Sequence, residues 1–339
     1  MKIALNGFGR IGRNILRTYI ENNNGPLQII AINDLAKTAT NSHLLKYDSI
    51  HGTLNDEVSH NDSSIFVNKF EIKCFSEKNP ENLPWKELGV DLVFECTGLF
   101  TSKESAQSHL RAGAERVIIS APGSNVDKTV VFGVNHSSLN SNHKIISNAS
   151  CTTNCLAPIA KIVNDNFKIK NGLVNTIHSY TNDQKLLDTA HVDLFRARSA
   201  TESLIPTKTG AASAVGEVIP ELQGKMDGLA IRVPTPNVSL LDFTFNTSKE
   251  FTIDELNQII EQSSKQKMKG IVDVNSVPLI SVDFKGNPHS CVYDKQHTQK
   301  IGSTTKILAW YDNEWGFSNR MKDLATYIQN TFHKQIIAA

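Results

Sequence analysis

Asn6-Gly7-Phe8-Gly9-Arg10-Ile11-Gly12 constrains the fold of this chain more than any other stretch. It lies between a short apolar run, Lys2-Ile3-Ala4-Leu5, and residues 14–20, whose apolar side chains recur at helical spacing. That is G-x-G-x-x-G between a strand and a helix. Gly7 permits the tight turn, Gly9 lets backbone approach a pyrophosphate, and Gly12 lets helix pack on strand. The helix N-terminus supplies a field that holds phosphate. The next apolar strand, residues 28–32, ends at Asn33-Asp34. An acid about 20 residues past the glycines is placed to bind a ribose 2′-OH. A dinucleotide site is therefore expected.

The βα pattern continues. Residues 91–98 read as a buried strand, 102–112 as a helix capped by Ser102, and 116–120 as the next strand. Residues 130–134 and 144–147 follow as strands. Alternation of this kind implies a parallel, doubly wound α/β sheet, with ligands beyond the carboxyl ends of its strands, where Thr97 and Ser120 lie. The register changes near Ser150. Later strands at 173–180, 228–233, 238–246, 279–284 and 306–311 alternate apolar and polar residues, which suits a mostly antiparallel sheet with one covered face. Helices are expected at 210–219, 253–265 and 317–332. The long charged segment between His178 and Pro206 lacks strand signals, and loops of that length in a compact domain are usually functional.

Ser150-Cys151-Thr152-Thr153-Asn154-Cys155 sits between a strand and a helix. Cys151 is expected at a helix N-terminus, where unpaired N–H groups and the helix dipole favour anions. A thiol there is expected to be a stronger acid than free cysteine. Ser150, Thr152 and Thr153 add hydroxyl donors suited to an oxyanion or a phosphate.

The net charge is +1, with 40% apolar and 20% charged residues, so the chain as a whole makes no electrostatic case for nucleic acid or an anionic membrane. Five cysteines, at 74, 96, 151, 155 and 291, form no secreted disulfide framework, and no second ligand pair has zinc spacing, so no metal site is expected. The chain opens on a strand and a glycine turn, and no apolar run reaches spanning length. A cytoplasmic location follows as an expectation.

Read in order, the motifs Asn6–Gly12, Tyr47-Asp48-Ser49-Ile50-His51-Gly52, Cys96-Thr97-Gly98-Leu99-Phe100, Ser150–Cys155, His178-Ser179-Tyr180-Thr181, Arg196-Ala197-Arg198, Pro206-Thr207-Lys208-Thr209-Gly210, Arg232-Val233-Pro234-Thr235-Pro236-Asn237 and Trp310-Tyr311-Asp312-Asn313-Glu314-Trp315-Gly316 run from one end of the chain to the other. Together they resemble the phosphorylating, glycolytic glyceraldehyde-3-phosphate dehydrogenases. The resemblance implies a Rossmann domain over 1–150, joined by a C-terminal helix at about 317–339, and a catalytic domain over 151–316. It implies Cys151 as nucleophile and His178 as general base, an imidazole whose pKa is expected near working pH. It places NAD on Gly7, Gly9, Arg10, Ile11, Gly12, Asp34, Lys78, Ser120 and Asn313. It assigns the substrate phosphate to Thr181 and Arg232, and the attacking phosphate to Ser150, Thr152, Thr209 and Gly210, with Arg198 close to both. It also implies a homotetramer acting on glyceraldehyde 3-phosphate and inorganic phosphate.

Four positions depart from the common family pattern. Thr189-Ala190 stand where members selective for NAD often have Leu-Pro, Phe317 replaces a frequent tyrosine, and Lys208 adds a charge to the phosphate loop. The sister erythrose-4-phosphate dehydrogenases share the cysteine and histidine but lack Thr209-Gly210. A nucleotide-sensing binding protein would not need both catalytic residues and both anion sites.

Overall fold

The computed structural model describes residues 1–21 and 25–333. The chain divides into two compact units. One holds Met1–Val130, His136–Ala149 and the chain from Ser318 onward; the other holds Val131–Asn135 and Ser150–Phe317. The last helix is Trp315–Ile328, followed by one wider turn at Gln329–His333. Its expected continuation over 334–339 lies outside the described residues.

In the first unit nine of the described strands form one sheet, and Tyr47–Asp48 pairs with Gly52–Thr53 apart from it. From one edge the order is Lys128–Thr129, Ile145–Ser147, Arg116–Ile119, Leu92–Glu95, Lys2–Asn6, Gln28–Asn33 and Phe70–Phe75, all parallel. Ser64–Val67 and Val58–His60 then add an antiparallel ribbon at the other edge. Leu92–Glu95 and Arg116–Ile119 are buried along their whole length, as parallel strands covered on both faces must be. Helix Lys103–Arg111 starts where the sequence places it. The Ser102 hydroxyl accepts from the Ser105 N–H, and the Ser105 side chain answers to the Ser102 N–H, so both orphan donors are satisfied.

Residues 130–134 are not a strand. The Asn135 carboxamide accepts from the Val131 N–H at 2.9 Å, and Val134 N–H turns back to the Val131 carbonyl. A side chain that bonds nearby backbone diverts it from a sheet ladder.

In the second unit the sheet order is Ile205–Lys208, Met226–Val233, Ile169–Ser179, Ser239–Thr247, Thr304–Tyr311, Cys291–Ile301 and Val272–Asn275, mostly antiparallel. Burial alternates along Ser239–Thr247 and Thr304–Tyr311, with Leu241, Phe243, Phe245, Ile307 and Ala309 turned inward. Helices Cys151–Phe167, Ala211–Val218 and Ile253–Lys265 belong to this unit. The reading of 279–284 as a strand fails. Asp283 accepts from the Ile280 N–H at 2.9 Å and its own N–H returns to the Ile280 carbonyl, which winds Ser281–Phe284 into a short 3-10 turn. Val277, Ile280 and Val282 are left exposed, and Phe284 stacks on Trp310. Between Ser179 and Ile205 the described chain has no helix and only one isolated bridge, Lys185 to Ser199.

Candidate active site

In the first unit a cavity of about 510 Å³ opens where the parallel strands end, lined by Gly7, Gly9, Asp34, Lys78 and Thr97 among others. Gly7 has φ +91°, and a Cβ on it would lie 2.7 Å from the Thr97 nitrogen. A Cβ on Gly12 would lie 2.2 Å from the Gly7 carbonyl oxygen. A Cβ on Gly9 would meet nothing within 4 Å. The first two glycines thus close the protein on itself, and the third keeps open space before the helix. The N–H groups of Ile11 and Gly12 precede the first intrahelical bond, Arg13 N–H to Gly9 carbonyl, as an anion-binding terminus requires.

Asp34 is fixed by the N–H groups of Phe8 at 2.8 Å and Ala36 at 2.9 Å. The Arg10 side chain is committed elsewhere, to Asp48. Burial alone would raise the Asp48 carboxyl; the Arg10 guanidinium and the N–H groups of His51 and Ile50 outweigh it and hold it at about 2. Ser120 stands one strand further on, donating its N–H to the Glu95 carbonyl at 2.9 Å.

In the second unit Cys151 is the first residue of its helix. Ser150 is the N-cap, and its hydroxyl accepts from the Thr153 N–H at 3.0 Å. Cys151 Sγ lies 3.4 Å from His178 Nε2. The histidine's tautomer is set from its other side. Nδ1 lies 2.7 Å from the Ser179 carbonyl oxygen, a contact that needs the proton on Nδ1. Nε2 then presents its lone pair to the thiol. Arg232 is the register partner of His178 on the adjacent parallel strand. Its Nη1 lies 3.0 Å from Nδ1 but has its own acceptor in the same Ser179 carbonyl, also at 3.0 Å, so the shorter Nδ1 contact, to an oxygen that only accepts, decides the tautomer.

The electrostatics differ from the sequence expectation. Burial pushes the Cys151 thiol above its ordinary value, and Arg232 pulls only part of that back. Burial, reinforced by Arg232 and Arg196, pushes His178 down to about 3, against the favourable pull of the Ser179 carbonyl. The helix terminus is present, but desolvation of a charge outweighs it. At neutral pH the resting pair is thiol and neutral imidazole.

Around the pair, the Thr152 hydroxyl shares a buried bond of 2.9 Å with the Tyr311 hydroxyl, which also meets Thr176 at 2.7 Å. The Thr152 hydroxyl also acts on the Cys151 thiol, drawing its pKa down against burial. Tyr311, read from sequence only as a strand end, packs edge-on to the His178 ring. The Thr181 N–H is held by Gln184 at 3.1 Å. Thr209 accepts from the Ala211 N–H at 3.2 Å, and a Cβ on Gly210 would meet nothing within 4 Å. Asn313 is buried, with its Oδ1 accepting from Ser239, whose oxygen in turn accepts from the Ser179 N–H.

Arg198, expected close to both phosphates, lies on the surface in the single chain. Its guanidinium is 68% exposed and pairs with Asp188 at 2.6 Å. Arg196, two residues earlier, points the other way. It donates to Asp183 at 2.6 Å, Thr207 at 3.0 Å and the Lys208 carbonyl at 3.2 Å, and its charge acts on both His178 and Arg232. Residues two apart in an irregular loop need not share a face, and the Arg-x-Arg spacing does not say which member faces the Thr207–Lys208 strand.

A glycine-fingerprinted parallel sheet and a second unit that sets a thiol against an imidazole are the two parts of a dinucleotide-using oxidoreductase that works through a cysteine. Residues 1–103 match the family model described as the glyceraldehyde 3-phosphate dehydrogenase NAD binding domain, and residues 150–313 match the C-terminal domain of the same family. The chain is 55% identical over 327 residues to the chromosomal glyceraldehyde-3-phosphate dehydrogenase of Cupriavidus necator, covering 96% of this chain and 97% of that one. It is 54% identical over 326 residues to the Pseudomonas aeruginosa enzyme and 52% over 326 residues to that of Xanthobacter flavus, each with 96% and 97% coverage. The chain belongs to the glyceraldehyde-3-phosphate dehydrogenase family, NAD-dependent oxidoreductases.

Two outcomes follow. Gly12→Ala should destabilise the protein by about 2 kcal/mol or more, because backbone must move, whereas Gly9→Ala should leave the melting temperature nearly unchanged and weaken dinucleotide binding; calorimetry and titration separate the two. His178 binds a proton below about 6.5 when unfolded but only near 3 when folded, so it contributes stability at neutral pH that is lost as pH falls between those values. The slope is at most about 1.4 kcal/mol per pH unit. His178→Asn should flatten the stability profile in that window, and Arg232→Ala should raise the imidazole pKa followed by NMR.

Proposed function

We propose that this chain oxidises and phosphorylates D-glyceraldehyde 3-phosphate to 1,3-bisphosphoglycerate with reduction of NAD, in glycolysis or gluconeogenesis. The observation that carries this reading is the His178 Nε2 lone pair facing Cys151 Sγ at 3.4 Å, with Nδ1–H anchored on Ser179. Cys151 Sγ attacks the aldehyde carbon while its proton passes to Nε2 and from there to the former carbonyl oxygen, giving a hemithioacetal and returning the imidazole to its neutral form. His178 then holds the hydroxyl proton as the carbon is oxidised to a thioester. NAD, when bound, takes the hydride. Inorganic phosphate attacks the thioester carbon, the acyl phosphate leaves, and Cys151 recovers its proton from His178.

The first unit, 1–150 with the C-terminal helix from about 317, is assigned to NAD, and 151–316 to catalysis. The open space before Gly9, the helix-terminal N–H groups of Ile11 and Gly12, and the anchored Asp34 carboxylate fit a pyrophosphate and a ribose. Lys78 borders the same cavity. Asn313, its amide oriented by Ser239, is assigned to the nicotinamide carboxamide. Arg232 and Thr181 take the substrate phosphate. Arg232 Nε is buried without a partner, which supports an anion there. Ser150, Thr152, Thr209 and Gly210 take the attacking phosphate. Arg196, in place of Arg198, holds the Thr207–Lys208 strand that leads to Thr209-Gly210.

The working form is a homotetramer in the cytoplasm. Leu186, Leu187, Val192, Leu194 and Phe195 are exposed in the single chain, and a run of apolar side chains of that kind supports burial against a neighbour. All five cysteines are free, and among the described residues no helix is long and apolar enough to cross a membrane.

Steady NADH formation should require phosphate or arsenate, with a single burst in their absence. Sustained turnover in phosphate-free buffer would point to the hydrolytic erythrose-4-phosphate reaction. NAD should exceed NADP in kcat/KM by about ten-fold to a thousand-fold, because the Asp34 carboxylate repels a 2′-phosphate by a few kcal/mol. Asp34→Gly should narrow that ratio; an unchanged ratio would remove Asp34 from cofactor choice.

A further inference from the structure

Three adjoining parallel strands of the first unit end at one level. Asn6 is the register partner of Asn33 on one side and Glu95 on the other. Side chains at one level of a parallel sheet share a face, and these form a row. Asn33 Nδ2 donates to Asn6 Oδ1 at 2.7 Å, and Asn6 Nδ2 donates to Glu95 Oε2 at 2.6 Å. His109 Nε2 meets the same Glu95 oxygen at 3.0 Å. The other oxygen accepts from the Thr97 N–H at 2.7 Å and from the Thr97 hydroxyl.

The histidine's sense is fixed from behind. Trp85 Nε1 lies 3.1 Å from His109 Nδ1. An indole N–H only donates. Nδ1 is therefore the acceptor, and Nε2 carries its proton toward Glu95. Asn6, Trp85, Glu95 and His109 are each at most 1% exposed. A carboxylate in such a place is tolerated only when donors surround it. Four converge on this one.

No step of the proposed reaction uses Glu95. Its partners Asn6 and Thr97, however, line the dinucleotide cavity, as do Asn33, bonded to Asn6, and Glu77, bonded to Asn33. Asn33 holds the Glu77 backbone from both sides, at 2.9 Å and 2.8 Å. The Thr97 hydroxyl accepts from the Leu99 N–H at 3.0 Å, and the Thr97 nitrogen packs against the Gly7 turn. One buried carboxylate thus ties the Asn6–Gly7 turn to the 97–99 loop.

We propose that Glu95, backed by His109 and Trp85, is the positioning residue that holds the NAD pocket in its binding shape. The inference rests on reading this cavity as the NAD site. In Glu95→Gln an amide N–H₂ would face a donor on one side or the other. NAD affinity, titrated on the whole protein without substrate, should weaken by at least about ten-fold. KM for NAD should rise with it, while kcat at saturating NAD changes by less than about three-fold. A loss of folded protein alone would lower kcat and leave KM in place. Trp85→Phe, which frees His109 to exchange tautomers, should weaken NAD binding in the same direction.

A folded Glu95→Gln protein that binds NAD within about two-fold of wild type would overturn the proposal. If that variant does not fold, Thr97→Val decides: it removes one hydroxyl donor, and a rise of about three-fold or more in Kd supports the proposal, while an unchanged Kd sinks it. Wild-type protein that fails to bind NAD would instead sink the reading of the cavity itself.

Discussion

The catalytic arrangement depends on the first turn of one helix, Ser150 to Thr153, and on the two paired strands that face it. The chain leaves its parallel strand with the Asn148 N–H on the Ile119 carbonyl at 3.0 Å, then turns at Ala149, which has φ +55°. A left-handed conformation at a residue with a Cβ costs about 1–2 kcal/mol. It persists because the turn is over-determined. Ala149 is buried, and its N–H is held by the Ser147 hydroxyl at 3.0 Å. Ser150 then caps the helix at once. The strand Ile169–Ser179 and its partner Met226–Val233 bring His178 and Arg232 to the same level by register alone.

That geometry sets the electrostatics. A thiol and an imidazole in contact could rest as an ion pair, but the imidazole is buried, the thiol half-buried, and a guanidinium stands beside the imidazole. A second positive charge there is penalised twice, by desolvation and by Arg232. The pair therefore stays neutral until an electrophile arrives, and the base acts at the moment of attack. Arg232 has a consistent double effect. The cation that suppresses imidazolium is also the one with a buried, unpartnered Nε, suited to an anion. Binding a substrate phosphate would neutralise that cation and make His178 a stronger base when it is needed.

Much of this was legible in the sequence, for identifiable reasons. The glycine fingerprint, the Ser102 cap and the helix at 253–265 depend on neighbours close in the chain, and local chemistry suffices for them. Cys151 at a helix start was likewise readable from its flanks. Its acidity was not, because burial and Arg232 come from strands far along the chain. The error at 279–284 has a local cause: Asp283 folds back on Ile280, and an apolar run with that carboxylate does not enter the sheet. The choice between Arg196 and Arg198 needed loop geometry that spacing does not carry. The row of Asn33, Asn6 and Glu95, with His109 and Trp85 behind it, joins residues from five separate segments and has no sequence signature.

The central claim is that Cys151 carries the acyl group and phosphate removes it. The most direct measurement is mass spectrometry of the protein mixed with glyceraldehyde 3-phosphate and NAD in phosphate-free buffer, before and after phosphate is added. The account predicts a 3-phosphoglyceroyl adduct on the peptide containing Cys151, absent in Cys151→Ser, and discharged within turnover time by phosphate. An adduct on Cys155 or elsewhere, no adduct despite NADH release, or an adduct indifferent to phosphate would contradict it.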